Sequence, residues 1–357
     1  MLRPSRNAIV IGCYFMMMAC AHAETPALYE ETIDPDEGAE LASIVRDLRS
    51  VQEKIAPLQR GFHSKSHGCL SGEFKVLDSR PDITKEGLFR ETKTYPVVMH
   101  FSNGSRKVNP DRKGDARGVA VKVFNVPGPK LLVTQSTAKT QDFLMNNVPA
   151  TYTADPRQFA DFIMSASEGT WPSIWFLITH PIFAKRAISH VSRPVESLVL
   201  ERYWSASAFR LGEKAMKYNI RSCGAPALAA SNRDDPDYLS KNLAAYASEH
   251  ESCWELGLQI QTDPERTPIE DTTVEWTEEL TPTLPVARLV LPKQDINDPE
   301  VQQACRALTF TPWHATEDHR PLGKVNRVRR PTYAVEQKLI LGGQDPVEPN
   351  EFPIKKL

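Results

Sequence analysis

The sequence predicts an α+β fold in which a large antiparallel β-sheet, closed as a barrel, is surrounded by helices. Three observations carry this reading. Seven β-like runs fall into an early group and a late group, with a mostly apolar helical region between them. One of those runs alternates Trp254, Leu256, Leu258 and Ile260 with Glu255, Gly257, Gln259 and Gln261, the period-two pattern of a half-buried strand. No internal repeat or low-complexity linker separates the two groups, so one domain whose barrel halves are distant in sequence is expected.

The elements follow in chain order. Arg3 and Arg6 precede the apolar run Ala8 to Met18, and Ala21-His22-Ala23 supplies small residues for cleavage, so residues 1–23 have the three parts of a secretory signal. The run is short for a bilayer span, and Met18-Ala19-Cys20 is a poor relative of a lipoprotein box. The mature chain is then a single domain over 24–357 with its core at about 55–340. Asp34 as N-cap, Pro35 at N1 and Glu37 at N3 open an amphipathic helix through Leu41, Ile44, Val45, Leu48, Val51, Ile55 and Leu58. The early strands are expected at Glu73 to Asp78, Val97 to Ser102, Gly118 to Val126 and Asp142 to Val148. Asp155-Pro156 starts a further helix, and Trp171 to Val199 reads as helix broken near Pro181 and Pro194. The late strands are expected at Lys214 to Arg221, Trp254 to Gln261 and Val286 to Leu291, with another helix start at Asp235-Pro236.

The 357 residues carry a formal charge of −2, with 41% hydrophobic and 25% charged residues, which excludes disordered, collagen-like and polytopic membrane classes. Loss of residues 1–23 would remove two arginines and no acid, leaving −4. Neither value gives an electrostatic reason to expect nucleic acid or an anionic membrane as partner, so a small-molecule site is the better expectation. A chain of this length can bury roughly 75% of its unfolded surface without staples. With Cys13 and Cys20 in the signal, Cys69, Cys223, Cys253 and Cys305 remain, and export would permit three pairings. Cys223 and Cys253 each abut a strand-like run and are the first candidates. No CxxC or CxxCH occurs, so structural zinc and c-type haem attachment are not expected.

Two neighbourhoods could carry chemistry. Arg60-Gly61-Phe62-His63-Ser64-Lys65-Ser66-His67-Gly68 places an imidazole where a Gly- and Ser-rich loop feeds a sheet, although taken alone it also fits a surface loop with incidental histidines. Arg329-Arg330-Pro331-Thr332-Tyr333 sets an arginine four residues before a phenol. Alone it reads as a solvated basic face with one anchored ring. A guanidinium beside a tyrosine does have a chemical use, because it favours the phenolate that ligates ferric iron.

At these residues the sequence resembles the haem catalase superfamily, in particular its short, secreted, catalase-related peroxidase branch. His63 with Lys65 and Gly68 resembles the family's distal histidine loop, Arg60 the arginine that pairs with a haem propionate, and His100-Phe101-Ser102 the strand whose serine orients the distal imidazole. Asp115-Ala116-Arg117-Gly118-Val119-Ala120-Val121-Lys122 and Asp142-Phe143-Leu144-Met145-Asn146-Asn147-Val148-Pro149 are similar to two further family stretches, which puts Asn146 at the distal amide and Phe159 over the haem face. Arg329 to Tyr333 has the spacing of the proximal ligand motif. The similarity runs through residues 55–340 in order.

The resemblance implies a catalase-type barrel with a haem pocket. It implies haem b held by Tyr333 as axial iron ligand, with Arg329, Arg60, His100 and Phe159 around it, and His63, Asn146 and Ser102 as the catalytic set. It implies a periplasmic or secreted enzyme that cleaves the O–O bond of hydrogen peroxide or organic peroxides, uses a small electron donor and forms a homo-oligomer. A fatty-acid hydroperoxide isomerase and a non-catalytic haem-binding protein are the alternatives. Departures from the pattern occur at His100, Phe62, Thr151 and Ile340, two of which replace propionate arginines, and one residue is inserted between Gly68 and Gly72. The Trp-Pro-His element that binds nicotinamide in larger catalases is absent near Trp276, so no NADP is expected. His67, without the partners of His63, is expected to face solvent or a propionate edge, and Tyr203 is the second choice of ligand.

Overall fold

The computed structural model describes residues 27–54, 60–224, 231–342 and 352–353. The expected signal segment and Ile55 and Leu58 of the first helix lie outside these residues. Helix α1 (Glu37–Gln52) precedes strands β1 (Ser66–Val76), β2 (Thr94–Asn103), β3 (Arg117–Phe124) and β4 (Thr140–Asn146). Helices α2 (Pro156–Glu168), α3 (Thr170–Thr179) and α4 (Pro181–Val191) follow as the central insert. The late group is β5 (Tyr203–Trp204), β6 (Phe209–Leu211), β7 (Lys214–Ser222), α5 (Tyr238–Glu249), β8 (Ser252–Ile260) and β9 (Leu284–Leu291), and α6 (Pro299–Ala307) and α7 (Lys324–Ile340) close the described chain.

Every strand pairing is antiparallel. The sheet runs β5-β4-β3-β2-β1-β9-β8-β7-β6, and β5 also pairs with β7, which closes an eight-stranded barrel and leaves β6 as a hairpin partner of β7. Closure pairs the edges that an open sheet would expose. The two barrel halves, separated by the helical insert, meet where β1 pairs with β9 and β5 with β7.

The interior is filled by alternate side chains: Phe74 from β1, Met99 and Phe101 from β2, Phe143 from β4, Tyr218 from β7 and Trp254 from β8. The outer face is covered in places. Ile44, Leu48 and Val51 of α1 pack with Ala160 and Ile163 of α2 and Val328 of α7, while Val98 of β2 meets Leu308 and Phe310. Among the described residues, no helix is long and apolar enough to cross a membrane.

Two helix starts differ from the sequence reading for one physical reason. Asp34 was expected to cap α1, but its carboxylate accepts the Asp36 N–H at 2.8 Å, a local turn that delays the helix to Glu37. Asp235 does the same to the Asp237 N–H, so α5 starts at Tyr238. Asp155 instead accepts from Arg157 and caps α2 directly. The two-residue β5, the three-residue β6 and helices α6 and α7 had no expectation attached. Two disulfides join the cysteines of the described residues: Cys223 to Cys253 beside the β7–β8 ladder, and Cys69 of β1 to Cys305 of α6.

Candidate active site

The site grows out of the register of three strands. Val97, Met99 and Phe101 point into the barrel, so the alternation turns His100 and Ser102 outward. Pairing aligns Ser102 with Gly118 and Gly118 with Asn146, and the next outward row aligns His100, Ala120 and Leu144. The middle strand thus contributes only a hydrogen and a methyl to this face. That leaves a shallow trough floored by β3 and flanked by polar groups of β2 and β4.

His63 hangs over one end of the trough. Its backbone is left-handed, with φ of 54°, and is held by its N–H donating to the Gly104 carbonyl at 3.4 Å. Its Nδ1 lies 2.9 Å from Ser102 Oγ. Burial first, and then the positive charges of Arg60 and Arg329, push its pKa down to about 4. The ring is therefore neutral at pH 7, and with Nδ1–H donated to Ser102 the Nε2 lone pair is free to take a proton. A Cβ on Gly118 would lie 2.5 Å from His63 Cε1, so glycine there is a condition of the imidazole's position.

Helix α7 brings the second group. Arg329 and Tyr333 are four residues apart and share a helix face, where Arg329 Nη2 donates to Tyr333 Oη at 3.1 Å and Nη1 to Asn326 Oδ1 at 3.0 Å. Glu336, one turn further, accepts the Phe62 N–H at 3.2 Å. Burial raises the Glu336 pKa, while the nearby Arg60 opposes the rise. Arg60 donates to the Leu308 carbonyl at 2.6 Å, and the His100 ring stacks on Phe310 at 5.5 Å with its Nε2 2.9 Å from Ser66 Oγ.

All eight expected site residues, Arg60, His63, His100, Ser102, Asn146, Phe159, Arg329 and Tyr333, line one cavity of about 1020 Å³. Its walls are chiefly apolar, with Val119, Ala120, Met145 and Val328 among them. Phe62, Thr151 and Ile340, the departures from the family pattern, line it too. Thr151 is tied back to Thr272 by its N–H donating to the Thr272 carbonyl at 2.9 Å.

These residues fit an iron porphyrin. The glycine-alanine floor would be filled by larger side chains, the Tyr333 oxygen beside Arg329 is a donor suited to ferric iron, and Arg60 offers a cation for a carboxylate. Among the described residues no group of three His, Cys, Asp or Glu could hold a bare ion. Gln337 Nε2, buried and without a protein partner, also lies on this wall.

Two expectations are corrected. His67 faces neither solvent nor the cavity; it is buried, with Nδ1 2.9 Å from Ser240 Oγ and Nε2 2.7 Å from Asn103 Oδ1, in a network with Asp111, Lys65 and Arg117. It sits two residues before the outward-facing Cys69, but a register irregularity between Ser66 and Gly68 breaks the alternation there. Tyr203 is fully buried in the barrel and donates to the Leu198 carbonyl at 2.9 Å, out of reach of the cavity. Sequence reasoning did not single out Glu336 or Gln337. Their signal was helical spacing from Tyr333, hidden because Pro331 argues against a helix and α7 runs through it.

Residues 45–170 match the family model for catalase. A catalase from Methanosarcina barkeri is 28% identical over 280 residues, which cover 69% of this chain and 52% of that protein. Catalase isozyme 2 from Cucurbita pepo is 25% identical over 276 residues, covering 68% and 53%. The chain thus spans about half the length of these relatives. Among solved structures, catalase A from Saccharomyces cerevisiae superimposes with a TM-score of 0.65 at 19% identity over 84% of this chain and 64% of that one. A bacterial catalase gives 0.64 at 17% identity over 95% and 68%. The barrel is thus the fold of these solved catalases, and the stretch that matches the catalase family model, residues 45–170, carries β1 to β4 and the trough on their outer face.

Proposed function

We propose that the protein is a haem-dependent, peroxide-decomposing enzyme of the catalase-related peroxidase kind, holding haem b on Tyr333 and working after export to the periplasm. The observation that carries the reading is the convergence of the neutral His63 and the Arg329–Tyr333 pair on one cavity. When bound, haem would supply a ferric centre able to cleave an O–O bond and exchange electrons. Arg329 donates to the Tyr333 oxygen and so positions it as the donor that would hold the iron. His63 Nε2 takes the first proton of a peroxide and returns it to the departing oxygen, Ser102 fixes the ring through Nδ1, and Asn146 offers an amide to the bound molecule. Arg60 and His100, both on the cavity wall, would offer a cation and a ring nitrogen to carboxylate groups of the porphyrin. The two disulfides support an oxidising compartment, in keeping with the amino-terminal signal.

The absorption spectrum of protein purified with haem supplied, followed by oxygen release and donor oxidation at matched peroxide, tests this. Wild type should show a high-spin, tyrosinate-type spectrum that Tyr333→Phe loses. His63→Ala should keep haem and lose about 10²–10⁴-fold in O–O cleavage. Stoichiometric haem with an unchanged Soret band in Tyr333→Phe would remove the ligand assignment. Haem binding with neither activity in wild type would favour a carrier over an enzyme.

A further inference from the structure

Six of the twelve large apolar side chains exposed among the described residues come from one stretch of the helical insert. Trp171, Ile174, Trp175 and Ile178 recur at i, i+3, i+4 and i+7 and form a single stripe on α3, with Trp171 80% and Trp175 67% exposed. Phe176 turns the other way, against Phe162 and Phe183. On α4, Ile182 is followed one turn later by Lys185 and Arg186, all exposed. Residues 169–195 contain three basic side chains and no acid, in a chain whose net charge is −2.

This hairpin is also a rim of the cavity. Ile188 is 57% exposed and yet lines it, as do Leu177 and Val191. The loop after β2 abuts the same place, since a Cβ on Gly114 would lie 2.4 Å from the Val191 carbonyl oxygen, and it adds exposed Lys107 and Lys113 to the lining. Arg193 is paired with Glu201, but a symmetric contact with a second copy would still bring Lys185, Arg186, Lys107 and Lys113 of the two copies together. An anionic lipid surface suits them instead: tryptophans settle at the headgroup level, isoleucines reach the acyl boundary, and Lys and Arg extend to the phosphates.

We propose that the α3–α4 hairpin and the Lys107–Lys113 loop seat this cavity mouth on an anionic lipid surface, and that the reactant there is an acyl-chain hydroperoxide. The choice of reactant rests on the peroxide-decomposing reading above; the docking does not.

The full-length mature chain should co-sediment with equimolar phosphatidylglycerol/phosphatidylcholine vesicles, not with phosphatidylcholine alone, and salt should release it. Brominated acyl chains should quench its tryptophan emission, and Trp171→Phe with Trp175→Phe should abolish that quenching. Lys185→Gln with Arg186→Gln should weaken partitioning roughly thirty-fold, at about fivefold per basic residue near an anionic surface. Absence of vesicle binding, or equal binding by the charge variant, overturns the docking. So does a concentration-dependent dimer that the tryptophan variant loses, which would assign the face to a second copy. With phospholipid hydroperoxide in the vesicles, wild type should consume it, and the ratio of that rate to hydrogen peroxide consumption should fall in the charge variant. Binding with consumption of hydrogen peroxide alone overturns the reactant and leaves docking standing; binding with no consumption of either overturns the peroxide reading itself.

Discussion

At the residue scale the site is governed by what is small. Gly118 allows His63 to lie against Ser102, and the space it leaves is part of the trough. Gly118→Ala should therefore displace the imidazole and lower oxygen release about 10²-fold while the tyrosinate-type haem spectrum persists. An unchanged rate would mean that the imidazole does not work from this position. His63 has a second consequence. Its pKa is pushed down to about 4, so a reaction that uses the neutral ring as base should be insensitive to pH near neutrality and decline only as pH falls toward about 4. A pH profile of hydrogen peroxide consumption on the haem-loaded enzyme that breaks near the ordinary imidazole value would contradict this. The histidine loop, the serine, the amide and the arginine–tyrosine pair were all legible as motif residues. That Gly118 belongs among them was not, because a glycine's role is the volume it leaves, which depends on a neighbour 55 positions away.

At the element scale, β3 and β4 are locked by more than backbone hydrogen bonds. Lys122 and Asp142 face each other in register, both fully buried, with Nζ 2.7 Å from Oδ1, and Asp142 Oδ2 also accepts the Thr311 N–H. These are the end residues of two family stretches, and their pairing aligns Gly118 with Asn146 four residues along. Lys122→Met would remove the buried carboxylate's cationic partner, leaving it only the Thr311 N–H and His314, and should cost about 3–5 kcal/mol in denaturant unfolding, whereas a loss below about 1 kcal/mol would assign the pair no role in the register. The disulfides differ in reach. In the chain-entropy picture, the bridge spanning 30 residues contributes about 3–4 kcal/mol and the one spanning 236 about 5 kcal/mol. Cys305→Ser should accordingly lower stability more than Cys253→Ser, and the reverse order would show that local strain or residual unfolded structure outweighs loop closure. The strands and the first helices were readable from periodicity. Helix α7 was not, since Pro331 removes one helical N–H in its interior and only packing against α1 and α2 compensates.

At the scale of the whole molecule, buried histidines tie stability to pH. Burial pushes His67 and His319 down to about 4 from an ordinary 6.5. Between those values the unfolded chain binds protons that the folded chain does not, so stability is complete above 6.5 and falls as pH drops toward about 4, by on the order of 3 kcal/mol per histidine. Guanidinium unfolding at neutral and mildly acidic pH should show the loss, and His319→Gln should flatten it; equal midpoints at both pH values would contradict the burial argument. Net charge is silent on a related point. A balance of −2 gave no reason to look for an anionic surface, because a sum over the chain is blind to where the folded structure gathers its lysines and arginines. By itself the sequence determined the α+β class and the two strand groups around a helical insert, since periodicity and turn chemistry are local properties of the chain; the candidate site residues were named through the family resemblance. Only the tertiary structure decided the closure through β5–β7, the outward row Ser102–Gly118–Asn146, the burial of His67 and the meeting of α7 with the His63 loop, because each depends on register and packing between residues far apart in sequence.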